Sequence, residues 1–366
     1  MSTGSEELQQ LRHFAKRRLA NPHGQQLCHY LDGAAWEEAL QDRLLVPEEM
    51  SLGFYTPFWA DYTEEQRLAL NHWVYLMKYY RISDGERFVI EANSAVADFL
   101  QELEPEVAGL LRLESEEERD HIAAFERVRV GASRRHGFEW MRMPVKPLRK
   151  IVISPRTLRF ILRHFGADFV VTYYLGRGLL NHQGKGFETQ VASLHHGHPA
   201  FTGLSRIHTV DENRHMAVSR MMAASTYRLV SRRAHTGPLY EALNQALRHT
   251  VVSYTLSARL TLQQERAMSL LVLPRMRALR GVPRERLEAT VDAHFTGVSG
   301  MQCAENAYMP RFNQRLVERA CLSLEEKQAL VALIRSLQGN LRFFPEGYVP
   351  GREPSEGLPP LDAPES

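Results

Sequence analysis

Apolar residues recur along this chain at intervals of three and four, while the strict alternation of a half-buried strand is scarce, so the pattern predicts helices almost throughout. Thr63-Glu-Glu-Gln66 has the form of a capping box, in which the Thr hydroxyl and the Gln side chain satisfy opposite backbone donors. It opens a helix through Trp73 and Tyr79-Tyr80. Helical periodicity then carries Glu86, Glu91 and Phe99 to about Leu103, with or without a break at Gly85. Pro105 begins a segment that is helical through about Arg129, and residues 130–150, rich in Gly, Pro and basic side chains, read as a connection. Ser154-Pro155 looks like a cap with Pro at the first helical position. Helices are expected at about 155–164, 167–194, 203–230 and 238–272, with His195-His-Gly-His-Pro199 as a loop and Pro274, Gly281 and Pro283 as interruptions. Ser323-Leu-Glu-Glu326 is a second capping box and opens the last helix, which Gly339 could end. The first sixty residues read as short helices and loops, with an aromatic cluster, Phe54-Tyr-Thr-Pro-Phe-Trp59, as a packing staple or a pocket wall.

The expected architecture is all-α, a helical bundle with additional helices at both ends. A single domain is expected over residues 1–348, its core at about 60–272, followed by a Pro-rich, extended or disordered tail at 349–366.

Charge changes the picture mainly by exclusion. Lys and Arg total 45 against 43 Asp and Glu, a net charge of +2, which is not the basic excess of a nucleic-acid binder. Three cysteines, Cys28, Cys303 and Cys321, are too few and too scattered for a disulfide framework or a Cys-rich zinc module. No apolar run reaches the length of a spanning helix, and Met1-Ser-Thr-Gly-Ser-Glu-Glu lacks the form of a secretory signal, so a cytoplasmic protein without a membrane or nucleic-acid partner is expected.

The chemistry is concentrated in two short motifs, Glu117-Glu118-Arg119-Asp120-His121 and Asp211-Glu212-Asn213-Arg214-His215. Each holds Glu-x-x-His, and on a helix positions i and i+3 share a face, so both side chains can reach one metal ion. Two such pairs plus single Glu residues from two further helices form the di-iron site of ferritin-like proteins, so a ferritin-like helical bundle is expected. One pair alone means little, and Ser115-Glu-Glu-Glu118 also fits a capping box. His208, four residues before Glu212, extends the second motif to three candidate ligands on one helical stripe. Glu86 and Glu91 are candidates for the single Glu of the first half.

These motifs resemble the di-iron arylamine N-oxygenases typified by p-aminobenzoate N-oxygenase, whose pattern is a Glu, a gap of about thirty residues and then Asp/Glu-Glu-x-x-His, occurring twice. The text around Tyr79-Tyr80-Arg-Ile-Ser83, Asn93 and Glu118-Arg-Asp-His-Ile-Ala-Ala-Phe125 is similar to that family, and the resemblance spans roughly residues 60–230. It implies Glu86, Glu118, His121, His208, Glu212 and His215 as ligands and Glu91 as a surface or supporting residue. The second copy departs from the pattern: the matching gap before Asp211 lands near Asn181, and the nearest acid is Glu188, two turns further along the same helix. Glu188 is preferred as the remaining ligand, with Asn181 (or its neighbour His182) as the alternative. Asp120 and Asp211 are expected to accept hydrogen bonds from ligand histidines, and Arg119 and Arg214 to pair with carboxylates or cover the helix face.

Carboxylate and imidazole donors suit iron, or manganese, and carboxylates can bridge two ions. The resemblance implies two iron ions, O2 as co-substrate, an external electron donor and N-oxygenation of a small-molecule amine in natural-product biosynthesis. The same site could serve C–H hydroxylation, desaturation or C–C cleavage. An inactive metal-binding or structural bundle is the alternative of another class, motivated by the missing acid near Asn181. Oligomeric state is open, a homodimer included. Elsewhere, His195-His196-Gly-His198 reads as solvated histidines, and His72, His164 and His249 as packed or surface residues. Gly176, Gly178, Gly184 and Gly186 on one helix suggest close helix approach, or space for a substrate.

Overall fold

A computed structural model describes residues 3–22, 26–54, 56–139, 154–194, 197–225, 237–255, 258–296 and 310–339. These residues form helices and no strand, so the protein is all-α. In chain order the helices are α1 (Thr3–Ala20), α2 (Leu27–Asp32), α3 (Trp36–Asp42), α4 (Glu64–Leu100), α5 (Pro105–Arg135), α6 (Pro155–Phe165), α7 (Ala167–Ala192), α8 (Pro199–Ala224), α9 (Pro238–Thr255), α10 (Ala258–Val272), α11 (Arg284–Thr296), α12 (Pro310–Arg319) and α13 (Leu324–Gly339). The expected tail at 349–366 and His195 and His196 lie outside the described residues.

Both capping boxes form. Thr63 accepts from the Gln66 backbone N–H while Gln66 Oε1 accepts from Thr63 N at 3.0 Å, and Ser323 N donates to Glu326 Oε2 at 3.0 Å. α4 passes Gly85 without a break, because nothing lies within 4 Å of where a Cβ would sit and the helix needs no special backbone there. Ser115 is mid-helix and its hydroxyl turns back to the Leu111 carbonyl, so it does not cap. The expected long helix at about 238–272 is described as α9 and α10 on either side of residues 256–257. α1 is longer than the short helices expected near the start, and the periodicity reading missed α11 and α12. Phe54 and Trp59 pack 5.5 Å apart, with Arg286 over the Phe58 ring at 5.7 Å, so the aromatic cluster is a staple to α11.

Two antiparallel hairpins build the centre, α4 with α5 and α7 with α8. They meet largely through side chains: Tyr79 Oη lies 2.6 Å from Ser205 Oγ, and Tyr174 donates to Asn93 Oδ1 at 2.9 Å. Gly176 and Gly178 mark close approach, since a Cβ there would come within 2.6 Å of Val251 Cγ1 and 2.9 Å of Leu316 Cδ2. One apolar core joins Tyr75 and Tyr79 of α4, Phe125 and Val128 of α5, Phe187 of α7 and Leu204 of α8. A second joins Val96 of α4, Leu111 of α5, Leu175 and Leu179 of α7 and Val218 of α8. On α4, α5 and α8 the apolar run is interrupted between these two cores, and buried polar side chains, Glu86, Glu118, His121, His208 and His215 among them, stand in the gap.

α3 and its flanking loop close one end of the first core. Near them His72 Nδ1 lies 2.9 Å from His136 Nε2, and His72 Nε2 lies 2.7 Å from the Arg43 carbonyl. Burial pushes His72 down to about 4 and His136 to about 3. Both folded values lie below the 6.5 of a free imidazole, so the unfolded chain takes up protons first and stability falls as pH drops from 6.5 toward 4. His136→Gln is therefore expected to cost about 1–3 kcal/mol at neutral pH and to show a shallower acid loss than the parent. Urea unfolding at several pH values checks this; parallel pH profiles would contradict it.

Candidate metal centre

The polar gap holds six of the residues singled out by spacing. α4 supplies Glu86, α5 supplies Glu118 and His121, and α8 supplies His208, Glu212 and His215. Helical spacing does the placing: three- and four-residue steps bring each motif's side chains to the inward face of its helix. Glu86 Oε1 lies 3.1 Å from His208 Nε2 and 3.6 Å from His121 Nδ1. His215 Nδ1 lies 3.2 Å from both Glu118 Oε1 and Glu212 Oε1. One donor atom each from Glu86, His121, His208 and Glu212 falls within 4.8 Å of the others, and Glu118, Glu212 and His215 form a second such group. Glu212 belongs to both. Glu118 also spans them, with Oε2 3.3 Å from His121 Nδ1 and Oε1 toward His215. The arrangement could hold two adjacent metal ions.

The donor set fits such ions. Buried carboxylates carry a large desolvation cost unless a cation faces them. Glu86 Oε2 is buried and has no hydrogen-bond partner among the described residues, as expected of an oxygen meant for a metal. Protonated histidines balance the remaining charge. Burial lowers His208, but Glu188 outweighs it and raises the imidazole to about 10. Burial likewise opposes the charge on His121 and His215, yet the carboxylates around them hold both well above the usual range. Burial also pushes Glu118 up, and His215 and His121 more than reverse it. Bound ions would displace these protons.

The far nitrogen of each histidine rests on a carboxylate. His121 Nε2 lies 3.1 Å from Asp211 Oδ2, His215 Nε2 lies 3.1 Å from Glu117 Oε2, and His208 Nδ1 contacts Glu188 Oε1. The wiring is crossed: the acid before each Glu-x-x-His reaches the histidine of the other motif, tying α5 to α8. Arg214 pairs with Asp211, and Arg18 of α1 pairs with Glu117, so the outer acids are themselves held. A carboxylate on the far nitrogen fixes ring orientation and tautomer.

The sequence reading stands corrected at two places. Asp120 faces away from the histidines: its carboxylate accepts from Leu27 N at 2.5 Å and Cys28 N at 3.3 Å, capping α2. Glu188 is buried at the site but lies on the outer nitrogen of His208, outside both donor groups. Its rival Asn181 is half-buried and makes no hydrogen bond to the cluster among the described residues, and the side chain of His182 lies outside them. Glu91 is exposed, a surface residue, and Arg119 is exposed too. Asp211 takes its expected place. Glu117 was missed, although it occupies the same motif position as Asp211. Arg177 was missed as well. This lone cation in an otherwise apolar stretch of α7 donates to Glu114 Oε2 at 2.7 Å and Glu118 Oε1 at 3.1 Å.

Glu117→Gln and Asp211→Asn should each weaken metal binding by about 10–100-fold while leaving the helical fold intact. Equilibrium dialysis with metal analysis checks this, and affinities equal to the parent's would contradict the crossed wiring.

Comparison with known proteins places a name beside the first half of this geometry. A family model described as acyl halogenase CylC-like matches residues 37–136, a span that contains Glu86, Glu118 and His121 but stops short of α7 and α8. No curated protein and no solved structure matches the chain. The matched family is not that of the arylamine N-oxygenases that the motifs resemble.

Proposed function

We propose that this chain is a di-iron, O2-dependent oxidoreductase that functionalises a small molecule in natural-product biosynthesis. The observation that carries the reading is the pair of donor groups sharing Glu212 in the gap between two apolar cores. Glu86, Glu118, His121, His208, Glu212 and His215 are the proposed ligands, with Glu188, Glu117 and Asp211 orienting the histidines. When bound, a pair of iron ions with open positions supplies reductive activation of O2. The electrons come from an external donor.

The chain's own residues hold the site dry and rigid. On the His208 side the rings of Tyr79 and Phe125 pack 4.3 Å apart, and Phe125 meets the His208 ring edge-on at 4.9 Å. Phe187 and Phe201 extend this wall through Tyr79 and Tyr75. The wall keeps bulk water from the imidazole, while Glu188 sets which of its nitrogens faces inward.

Two reactions on the substrate have support. The match to acyl halogenases favours an acyl group as substrate and halogenation as the reaction. The extra histidine four residues before Glu212 favours the N-oxygenation of an amine implied by the motif resemblance. Supplying reductant and O2 with chloride and an acyl substrate, or with an arylamine, separates them by mass spectrometry of the products.

The dimetal reading itself is tested by metal analysis and stopped-flow absorption. About two irons per chain, and an absorbance transient that appears only when the reduced protein meets O2, are expected. The double variant His208→Ala, Glu212→Ala should lose both. A purified protein without metal, whose stability is unaffected by that double substitution, would sink the reading.

A further inference from the structure

The two donor groups are not equivalent. Among the described residues the first has four donors, Glu86, His121, His208 and Glu212, while the second has three, Glu118, Glu212 and His215. The described side chains of α7 bear on this difference. Its counterpart α4 projects a carboxylate, Glu86, into the first group. α7 projects Arg177 toward the second, and its Glu188 sits behind His208.

Arg177 competes for a ligand atom. Its guanidinium is 1% exposed, and one nitrogen donates to Glu118 Oε1 at 3.1 Å. That same oxygen lies 3.2 Å from His215 Nδ1, where the second ion would sit. The other nitrogen is engaged by Glu114 at 2.7 Å, itself held by Asn93 at 3.2 Å, and Arg177 Nε has no hydrogen-bond partner among the described residues. The guanidinium cannot swing to water. A fixed positive charge therefore stands beside the second position, and Glu118 would share an oxygen between it and an ion held there.

We propose that Arg177 makes the two metal positions unequal, so that the Glu86–His121–His208–Glu212 position fills first and the Glu118–Glu212–His215 position fills only at higher metal concentration. This rests on the dimetal reading above. Arg177 acts as a positioning residue: it sets how much of Glu118 the second ion can take, and Glu114 sets how much of Arg177's charge bears on Glu118.

The test is a Mn2+ titration of the metal-free full-length chain, followed by equilibrium dialysis and by electron paramagnetic resonance, which distinguishes a lone Mn2+ from a coupled pair. Wild type should take up a first ion as a lone Mn2+, and a second at about tenfold or more higher free metal, with the coupled signal. His215→Ala should remove the second step and keep the first. Arg177→Met combined with Glu114→Gln removes both buried charges together and should narrow the gap. Glu114→Gln alone leaves Glu118 as Arg177's only carboxylate and should widen it. Uptake of both ions in one step by wild type would overturn the proposal, as would loss of the tight step in His215→Ala or a gap unmoved in both Arg177-directed variants. If the double variant fails to fold, Glu114→Gln alone decides the part played by Arg177: a gap it leaves unmoved would overturn the proposal. No Mn2+ or iron uptake at all would sink the dimetal reading together with this inference, whereas two equal steps would sink this inference alone.

Discussion

The structure turns on a cluster of carboxylates and imidazoles enclosed between two apolar cores. Taken alone, such a group opposes folding, because each buried charge loses its hydration. It persists because every charge meets an opposite one at close range: histidines against Glu86, Glu118 and Glu212 inside, acids against the outer nitrogens, and Arg177 across Glu118. α4, α5 and α8 each turn charged side chains inward at one level so that this balance can be struck. A bundle whose only task was packing would fill that level with leucine, since well-packed hydrophobic residues commonly equal or exceed buried ion pairs in stability. The polar layer is therefore best understood by what it can bind.

The crossed wiring gives the cluster rigidity. Each Glu-x-x-His pair sits on one helix, but its histidine is held by the acid of the other helix. Neither α5 nor α8 can rotate without breaking contacts on both sides. Arg18 reaches Glu117 from α1, and Asp120 caps α2, so the N-terminal helices brace the same wall from outside. Glu188 completes the set by facing His208. The asymmetry enters where Arg177 of α7 stands against Glu118, beside the second donor group.

Much of this could be read from spacing. Capping boxes marked two helix starts, and the two Glu-x-x-His motifs with His208 and Glu86 identified six residues that the fold brings together. Spacing on one helix fixes a shared face, which is why the fold gathers those six side chains. Relations between helices are another matter. Asp120 is the immediate neighbour of His121 and Asp211 stands three residues from the nearest histidine, yet only Asp211 crosses to an imidazole, because helix rotation points Asp120 at α2. Glu188 lies at the right level of α7 but on the outer side of His208, a distinction of one side-chain layer that periodicity cannot express. Arg177 carried a signal, a charge in an apolar run, but its partners come from two other helices. The family match likewise ends with α5 and leaves the second half of the site to geometry.

The central claim is that two metal ions lie side by side in this layer. X-ray diffraction from crystals of the iron-loaded protein, collected on both sides of the iron absorption edge, tests it most directly. Two anomalous peaks are expected, one among Glu86, His121, His208 and Glu212 and one among Glu118, Glu212 and His215, with the second weaker at limiting iron. Peaks elsewhere on the chain, or none between the two apolar cores at saturating iron, would contradict it.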